Sequence, residues 1–290
     1  MSLVSPQVRG TTGVLCVIGH PVAHSYSPQM HNAAIGALGL DLVYVPFPVD
    51  PGRVGTAVEA VRALGLRGMN VTVPHKAAVV PYLDELSPEA ARVGAVNTIV
   101  NHDGHLTGHN TDIVGVLTSL RETAGLRELP PVVAVLGASG AARGVVYGLA
   151  GSPEVERVLV FNRTFSKAEQ LADEMARATG TTIEAHPLAE ADLSRGLREA
   201  GLLVNATSVG MHPQPDQSPI GDWPVLHCGL TVYDCVFNPR ETLLLRQATA
   251  AGARAFGGIE MLVYQGARSF ELWTGIYPPI DVMKEAVGAT

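Results

Sequence analysis

The sequence predicts an α/β protein in two domains, an N-terminal α/β domain and a Rossmann-type, doubly wound domain. Three observations predict it. Short β-rich runs alternate with helical patterns along almost the whole chain, the pattern of sheets covered by helices. The 290 residues exceed the ordinary length of one domain. A polar, proline-ended stretch, "GLRELPP" from Gly125 to Pro131, interrupts the alternation, which restarts at Val132. The expected division is residues 1–112, completed by the C-terminal helices of about 259–290, against residues 113–258.

In the first domain, Val14 to Gly19 reads as a strand, Pro28 to Leu38 as a helix stopped by Gly39, Leu42 to Val49 as a strand and Gly52 to Leu64 as a helix. In "GMNVTVPHKAA" a strand from Met69 to Val73 breaks at Pro74 and delivers Lys76 to what reads as a helix start. A cation is out of place there, because the positive end of the helix dipole favours anions. Ala95 to Asn101 and His105 to Gly108 read as a hairpin around "HDG", followed by a helix from Ile113 to Thr123. The second domain reads as strands Val132 to Leu136, Arg157 to Asn162, Leu202 to Ala206 and Leu230 to Cys235, with helices Ala142 to Leu149 and Ser166 to Ala178. The helix Ile259 to Thr274 is apolar on several faces and is expected to pack back on the first domain.

Composition removes several classes. The net charge is −7 and the basic residues are scattered, so nucleic acid is not an expected partner. Cys16, Cys228 and Cys235 form no CxxC pair, and Met1 to Gly13 lacks a leader pattern, so a reducing cytoplasm is expected. No apolar run reaches the roughly 20 residues of a membrane span.

After the strand "VVAVL" comes "GASGAARG", Gly137 to Gly144, opening a helix. Strand, glycine turn and helix N-terminus are the parts that cradle a pyrophosphate. The glycines alone serve an ordinary turn as well, since Ser139 replaces the middle one. The next strand decides more: it ends "FNRT", with Arg163 and Thr164 where an NAD site keeps an acid, and Lys167 one turn later. A guanidinium and an ammonium suit a 2'-phosphate, so the expected cofactor is NADP.

The first domain carries polar residues at strand ends. In "HPVAHSYSPQMHN", Ser27 is a plausible helix N-cap before Pro28, while Ser25 and Ser27 together could hold a small carboxylate. His20, His24 and His31 do not suggest a metal, because Pro21 and Pro28 prevent one helical face and no acid is near; no metal is expected. Asn97, Asn110 and Asp112 are expected in loops, where singly each would be an ordinary turn residue.

The blocks "HSYSPQMHN", "GMNVTVPHK", "GAVNT", "GHNTD", "GASGAAR", "NRT", "NATSVGM" and "MLVYQGARSFELWTG" together, in this order, resemble the shikimate dehydrogenase family from Gly19 to about Gly275. The resemblance implies reversible reduction of 3-dehydroshikimate to shikimate with NADPH, in the chorismate route to aromatic amino acids. It places the catalytic lysine and its aspartate on Lys76 and Asp112. It places substrate contacts on Ser25, Ser27, Asn70, Thr72, Asn97 and Gln265, with Asn70 and Thr72 expected on one face by strand alternation. Cofactor contacts fall on Gly137, Ala138, Ser139, Gly140 and Ala141, on Asn162, Arg163, Thr164 and Lys167, and on Thr207, Ser208 and Gly258. Two positions depart from the family: Ser139 stands for a glycine of the phosphate loop, and Phe237 for the usual carboxylate-binding tyrosine. Quinate-using relatives tend to carry threonine at the position of Ser27 and an acid within "NRT", so shikimate and NADP are favoured here. A broader quinate/shikimate dehydrogenase, or a non-catalytic shikimate-binding paralogue, are the alternatives. Retention of both Lys76 and Asp112 speaks against the paralogue, since a binder needs no proton donor. Monomer or homodimer is expected, because no coiled-coil heptads are present.

Overall fold

The computed structural model describes residues 8–289. The reading of Met1 to Gly13 as lacking a leader lies, for residues 1–7, outside the described residues. The chain packs as two units: one runs to Gly115 and resumes at Leu262, and the other spans Val116–Met261. Among the described residues no helix is long and apolar enough to cross a membrane.

The first unit begins with β1 (Gly13–Gly19), α1 (Ser27–Ala37), β2 (Leu42–Pro48), α2 (Val54–Ala63) and β3 (Gly68–Val71). It continues through β4 (Glu85–Leu86), α3 (Pro88–Val93), β5 (Thr98–His102), β6 (His105–His109) and the start of α4 (Asp112–Glu122). The sheet order is β2-β1-β3-β5-β6-β4. β1 pairs parallel with β2 and β3, whereas β3, β5 and β6 pair antiparallel. The β5–β6 hairpin turns on Asp103 and Gly104, both at positive φ (52° and 92°), the backbone that a tight two-residue hairpin needs. Val54, Val58 and Val61 of α2, at helical spacing, pack on Ile18, Met69, Val71, Ile99 and Leu106 of the sheet.

The second unit continues α4 and adds β7 (Val132–Leu136), α5 (Gly140–Ala150), β8 (Arg157–Asn162), α6 (Phe165–Thr179), β9 (Thr182–Pro187) and α7 (Glu190–Leu197). Then come β10 (Leu202–Asn205), β11 (Thr231–Asp234), α8 (Leu243–Ala250), β12 (Arg254–Gly257) and the start of α9 (Ile259–Thr274). The order β12-β11-β10-β7-β8-β9 is parallel throughout. Alternation along its strands builds two cores: Val133, Val135, Val158 and Val160 meet α5 and α6, while Ala134, Leu136, Leu159 and Phe161 meet α7 and α8. Helices therefore cover both faces, and the strand order reverses between β7 and β10, the place where such sheets bind ligands.

From Leu262, α9 rejoins the first unit, followed by α10 (Ile280–Ala286). Its return rests on particular contacts: Trp273 Nε1 donates to Ile99 O at 2.9 Å, over Gly68, where a Cβ would lie 2.2 Å from that nitrogen.

Candidate functional site

The helix expected at Lys76 is absent: after β3 the chain makes turns, and the next helical piece is a single 3-10 turn at Val80–Tyr82. The conflict between a cation and a helix dipole therefore does not arise. The lysine is held by its neighbours instead. His75 is buried, and its Nε2 lies 2.7 Å from Val49 O; a carbonyl only accepts, so this nitrogen donates. The Lys76 carbonyl accepts from Val96 N at 2.8 Å. With its backbone pinned on both sides, Lys76 places Nζ 2.6 Å from Asp112 Oδ2, the two side chains only 11% and 6% exposed. Thirty-six positions of sequence separate them.

Asp112 is the first residue of α4 rather than a loop residue, and there the dipole favours its charge. Its other oxygen accepts from Asn97 Nδ2 at 3.0 Å. The Asn97 amide has one possible orientation, because Oδ1 accepts from Thr111 N at 2.8 Å while Nδ2 faces the carboxylate. The same Nδ2 lies within 2.9 Å of Thr111 Oγ1 and 3.2 Å of Gln265 Oε1. Gln265 is anchored through Nε2 to Leu262 O at 2.7 Å.

Asn70 extends the network. Its Nδ2 donates to Asn97 O at 3.0 Å and reaches Thr98 Oγ1 and Ser269 Oγ at 3.1 and 3.2 Å. That fixes Oδ1 toward Tyr44, whose hydroxyl donates at 2.7 Å. Burial raises the Tyr44 phenol well above its ordinary pKa, so it stays a donor. One connected polar chain thus runs from Tyr44 through Asn70, Thr98, Thr111 and Asn97 to Asp112 and Lys76. Tyr44, Thr98, Thr111 and Ser269 were not picked out from the sequence. A hydroxyl within an apolar strand or helix carries no linear signal until its partners, up to 199 positions away, are known.

Two local expectations are corrected. Ser27 is not an N-cap: Tyr26 holds that place without a side-chain cap, and Ser27 is the first helical residue, its N–H donating to Ser25 Oγ at 3.3 Å. Thr72 lies beyond the end of β3, so strand alternation does not set it on the face of Asn70; it is half-buried where Asn70 is buried. Its N–H donates to Ile18 O at 2.9 Å and its methyl covers Gly19. Among the described residues no group of three His, Cys, Asp or Glu side chains is placed to hold a metal ion. His31 is fully buried, stacks on Tyr44 with centroids 4.4 Å apart, and burial lowers its pKa to about 3.

In the second unit the glycine loop sits at the strand-order reversal. Gly137 has φ +108°, and a Cβ there would come within 2.9 Å of Thr207 Cγ2, so backbone freedom and space both require glycine. Ala138 follows. Ser139, which replaces a family glycine, has extended backbone (φ −86°, ψ 177°) and caps α5 by accepting from Ala142 N. No glycine is demanded at that position, and Gly140 and Ala141 open the helix with their N–H groups free of acidic side chains in the first turn. Past β8, Asn162 Nδ2 donates to Thr164 O at 2.9 Å, closing the turn that exposes Arg163, Thr164 and Lys167. Neither Arg163 nor Lys167 enters an ion pair among the described residues. A cradle that a Cβ would fill, a capped helix N-terminus and two unpaired cations fit a phosphorylated dinucleotide. Thr207 and Ser208 follow β10, and at Gly258 a Cβ would lie 2.4 Å from Cys235 O.

The sequence reading also passed over Asp234. It is fully buried at the end of β11, and burial raises its carboxyl pKa to about 6.

Three family models match the chain: shikimate dehydrogenase substrate binding domain over residues 17–99, shikimate/quinate 5-dehydrogenase over 129–212, and shikimate 5'-dehydrogenase C-terminal domain over 258–287. The chain is similar to the NADP(+) shikimate dehydrogenase of Methanothermobacter thermautotrophicus, 44% identical, with 97% of each chain covered. Among solved structures it resembles a shikimate dehydrogenase crystallised with NADP+, with TM-score 0.89, 39% identity and 99% and 98% of the two chains covered. It also resembles the shikimate 5-dehydrogenase of Thermus thermophilus in complex with NADP(H) and shikimate, with TM-score 0.83, 38% identity and 96% and 99% covered.

Proposed function

This chain belongs to the shikimate dehydrogenase family, and from that premise we propose that it reduces 3-dehydroshikimate to shikimate, reversibly and with NADPH, in aromatic amino acid biosynthesis. The observation that carries the reading is the buried contact of Lys76 Nζ with Asp112 Oδ2 at 2.6 Å, tied into a polar chain of amides and hydroxyls.

NADPH supplies the hydride. Reduction of a ketone builds negative charge on its oxygen, and a proton donor must stand within about 3 Å of it. Lys76 is that donor. Asp112 orients the ammonium, and Asn97 holds the carboxylate that does so. In the oxidative direction the neutral amine accepts the proton of the alcohol. Ser25 and Ser27, at the N-terminus of α1, present hydroxyls to the substrate carboxylate, with the helix dipole favouring an anion there. Asn70, Thr72, Asn97 and Gln265 meet the ring hydroxyls, and a site of such groups rejects analogues that lack them. Asn70 and Asn97 each have protein partners on both sides of the amide, which hold them in one orientation toward the substrate. On the cofactor side, Gly137 to Ala141 receive the pyrophosphate, while Asn162, Arg163, Thr164 and Lys167 hold the 2'-phosphate. Thr207, Ser208 and Gly258 shape the remainder of the cofactor site. The protein acts in the cytoplasm as a monomer or homodimer on a small-molecule substrate.

Initial rates, followed by nicotinamide absorbance with shikimate or quinate and NADP+ or NAD+, test the reading. Shikimate with NADP+ should be the fastest pair. A preference for quinate or NAD+, or tight shikimate binding with no turnover, would overturn it.

A further inference from the structure

β10 and β11 are adjacent, and Asn205 and Asp234, their last residues, stand in register. Asp234 accepts three hydrogen bonds: Oδ1 from Asn205 Nδ2 at 2.8 Å and from Val236 N at 3.0 Å, and Oδ2 from Thr242 Oγ1 at 2.6 Å. Among the described residues no lysine or arginine pairs with it. A buried carboxylate without a cation is costly, and an apolar residue of similar size would avoid that cost. What the carboxylate does is visible in its partners. Its two bonds to Asn205 and Val236 need an acceptor, and they leave Asn205 Oδ1 facing the next turn. That oxygen accepts from both Thr207 N (3.0 Å) and Thr207 Oγ1 (2.7 Å). Thr207 Oγ1 in turn accepts from Val209 N at 3.1 Å. The Thr207 methyl forms the wall against which Gly137 packs, and the carbonyls of Asp234 and Cys235 crowd Gly258.

We propose that Asp234 is a positioning residue for the cofactor site: through Asn205 it sets the turn of Thr207 and Ser208 against the glycine loop. The inference rests on the NADP reading above and names a group that touches neither substrate nor cofactor. Asp234 acts by orientation. Because its carboxylate is acceptor-only, the Asn205 amide cannot flip, and the Thr207 turn has one arrangement.

The test uses the full-length protein. In Asp234→Val, the Kd for NADP+ by calorimetry and the KM for NADP+ should rise about tenfold, the effect of one unpartnered buried polar group, while the KM for shikimate stays within about twofold. Asp234→Asn should recover most of the loss, since its carbonyl can still accept from Asn205 and Val236 while Thr242 rotates to accept from the amide. Thr242→Val, which removes the third bond and the cap of α8, should lower the melting temperature without moving the Kd for NADP+. An Asp234→Val protein that folds and binds NADP+ as wild type does would overturn the inference. So would equal rises in both KM values, the sign of general damage. If Asp234→Val does not fold, Asn205→Ala decides by the same criterion. A wild-type protein that binds NADP+ but leaves shikimate unchanged sinks the activity reading alone, because the Kd for NADP+ still decides this one.

Discussion

The two units solve opposite problems with opposite materials. On the proposed reading the first must hold a polyol carboxylate and move a proton, and its means are side chains: a buried ion pair at the end of a chain of amides and hydroxyls, drawn from β2, β3, β5, α4 and α9. The second must hold a phosphorylated cofactor, and it does so mostly with backbone: a regular parallel sheet, a turn at Gly137 that a Cβ would block, and a helix N-terminus. Polar side chains specify orientation, so the first unit is tuned residue by residue. Backbone N–H groups are the same in any sequence, so the second depends on where glycine and helix ends fall.

If that division of labour is right, Lys76→Ala should cut turnover by roughly 10²–10⁴-fold, the range for loss of a general acid, while NADP+ affinity by calorimetry stays near wild type. Near-normal turnover, or a parallel loss of NADP+ binding, would break the comparison. Asp112→Asn should follow the same pattern with a smaller loss, since the amine remains.

The units should also respond to acid with opposite sign. In the first, burial lowers the His31 pKa to about 3, against about 6.5 for the exposed imidazole of the unfolded chain, so the unfolded chain binds the proton first. Stability is lost as pH falls below about 6.5, by roughly 2 kcal/mol at pH 5. In the second, the folded carboxyl of Asp234 titrates near 6 against 3.8. Its raised pKa costs stability above about 6 and the cost is relieved as pH falls toward 3.8, by roughly 3 kcal/mol in full. Hydrogen exchange resolved by unit at pH 7 and pH 5, corrected for intrinsic rates, should show protection falling in the sheet of β1 and β3 relative to that of β7 and β10. His31→Phe should flatten the first trend and Asp234→Asn the second; unchanged slopes in both variants would refute these assignments.

The smallest effect is expected at Ser139. Its backbone is extended, so Ser139→Gly should leave NADP+ affinity unchanged and lower stability by only a few tenths of a kcal/mol, the usual gap between serine and glycine as a cap. A large gain in NADP+ affinity would show that the serine does obstruct the phosphate loop.

Legibility in the sequence followed the same division. In the second unit, strands Val132–Leu136 and Arg157–Asn162 could be bounded from the linear pattern, because each carries apolar residues on both faces and ends at a turn signal. The more polar β9 and α7, and the short β12, gave no such signal. In the first unit the chemistry could be read and the local structure around it could not. Lys76 and Asp112 stood out as a lone cation and a lone acid at strand ends, yet the helix expected at Lys76 is a set of turns. Turns defined by contacts to Val49 and Val96 leave no local pattern.

By itself the sequence determined the fold class, the family and the residue types of the chemistry, because periodicity, glycine turns and ordered motifs are local and linear. The tertiary structure decided that Lys76 meets Asp112 across 36 positions, that Asn70 is bound on both sides of its amide, and that Asp234 is joined through Asn205 to the Thr207 turn. Those are properties of hydrogen-bond partners brought together only when the sheets form. A donor or acceptor has no orientation until its partner is in place.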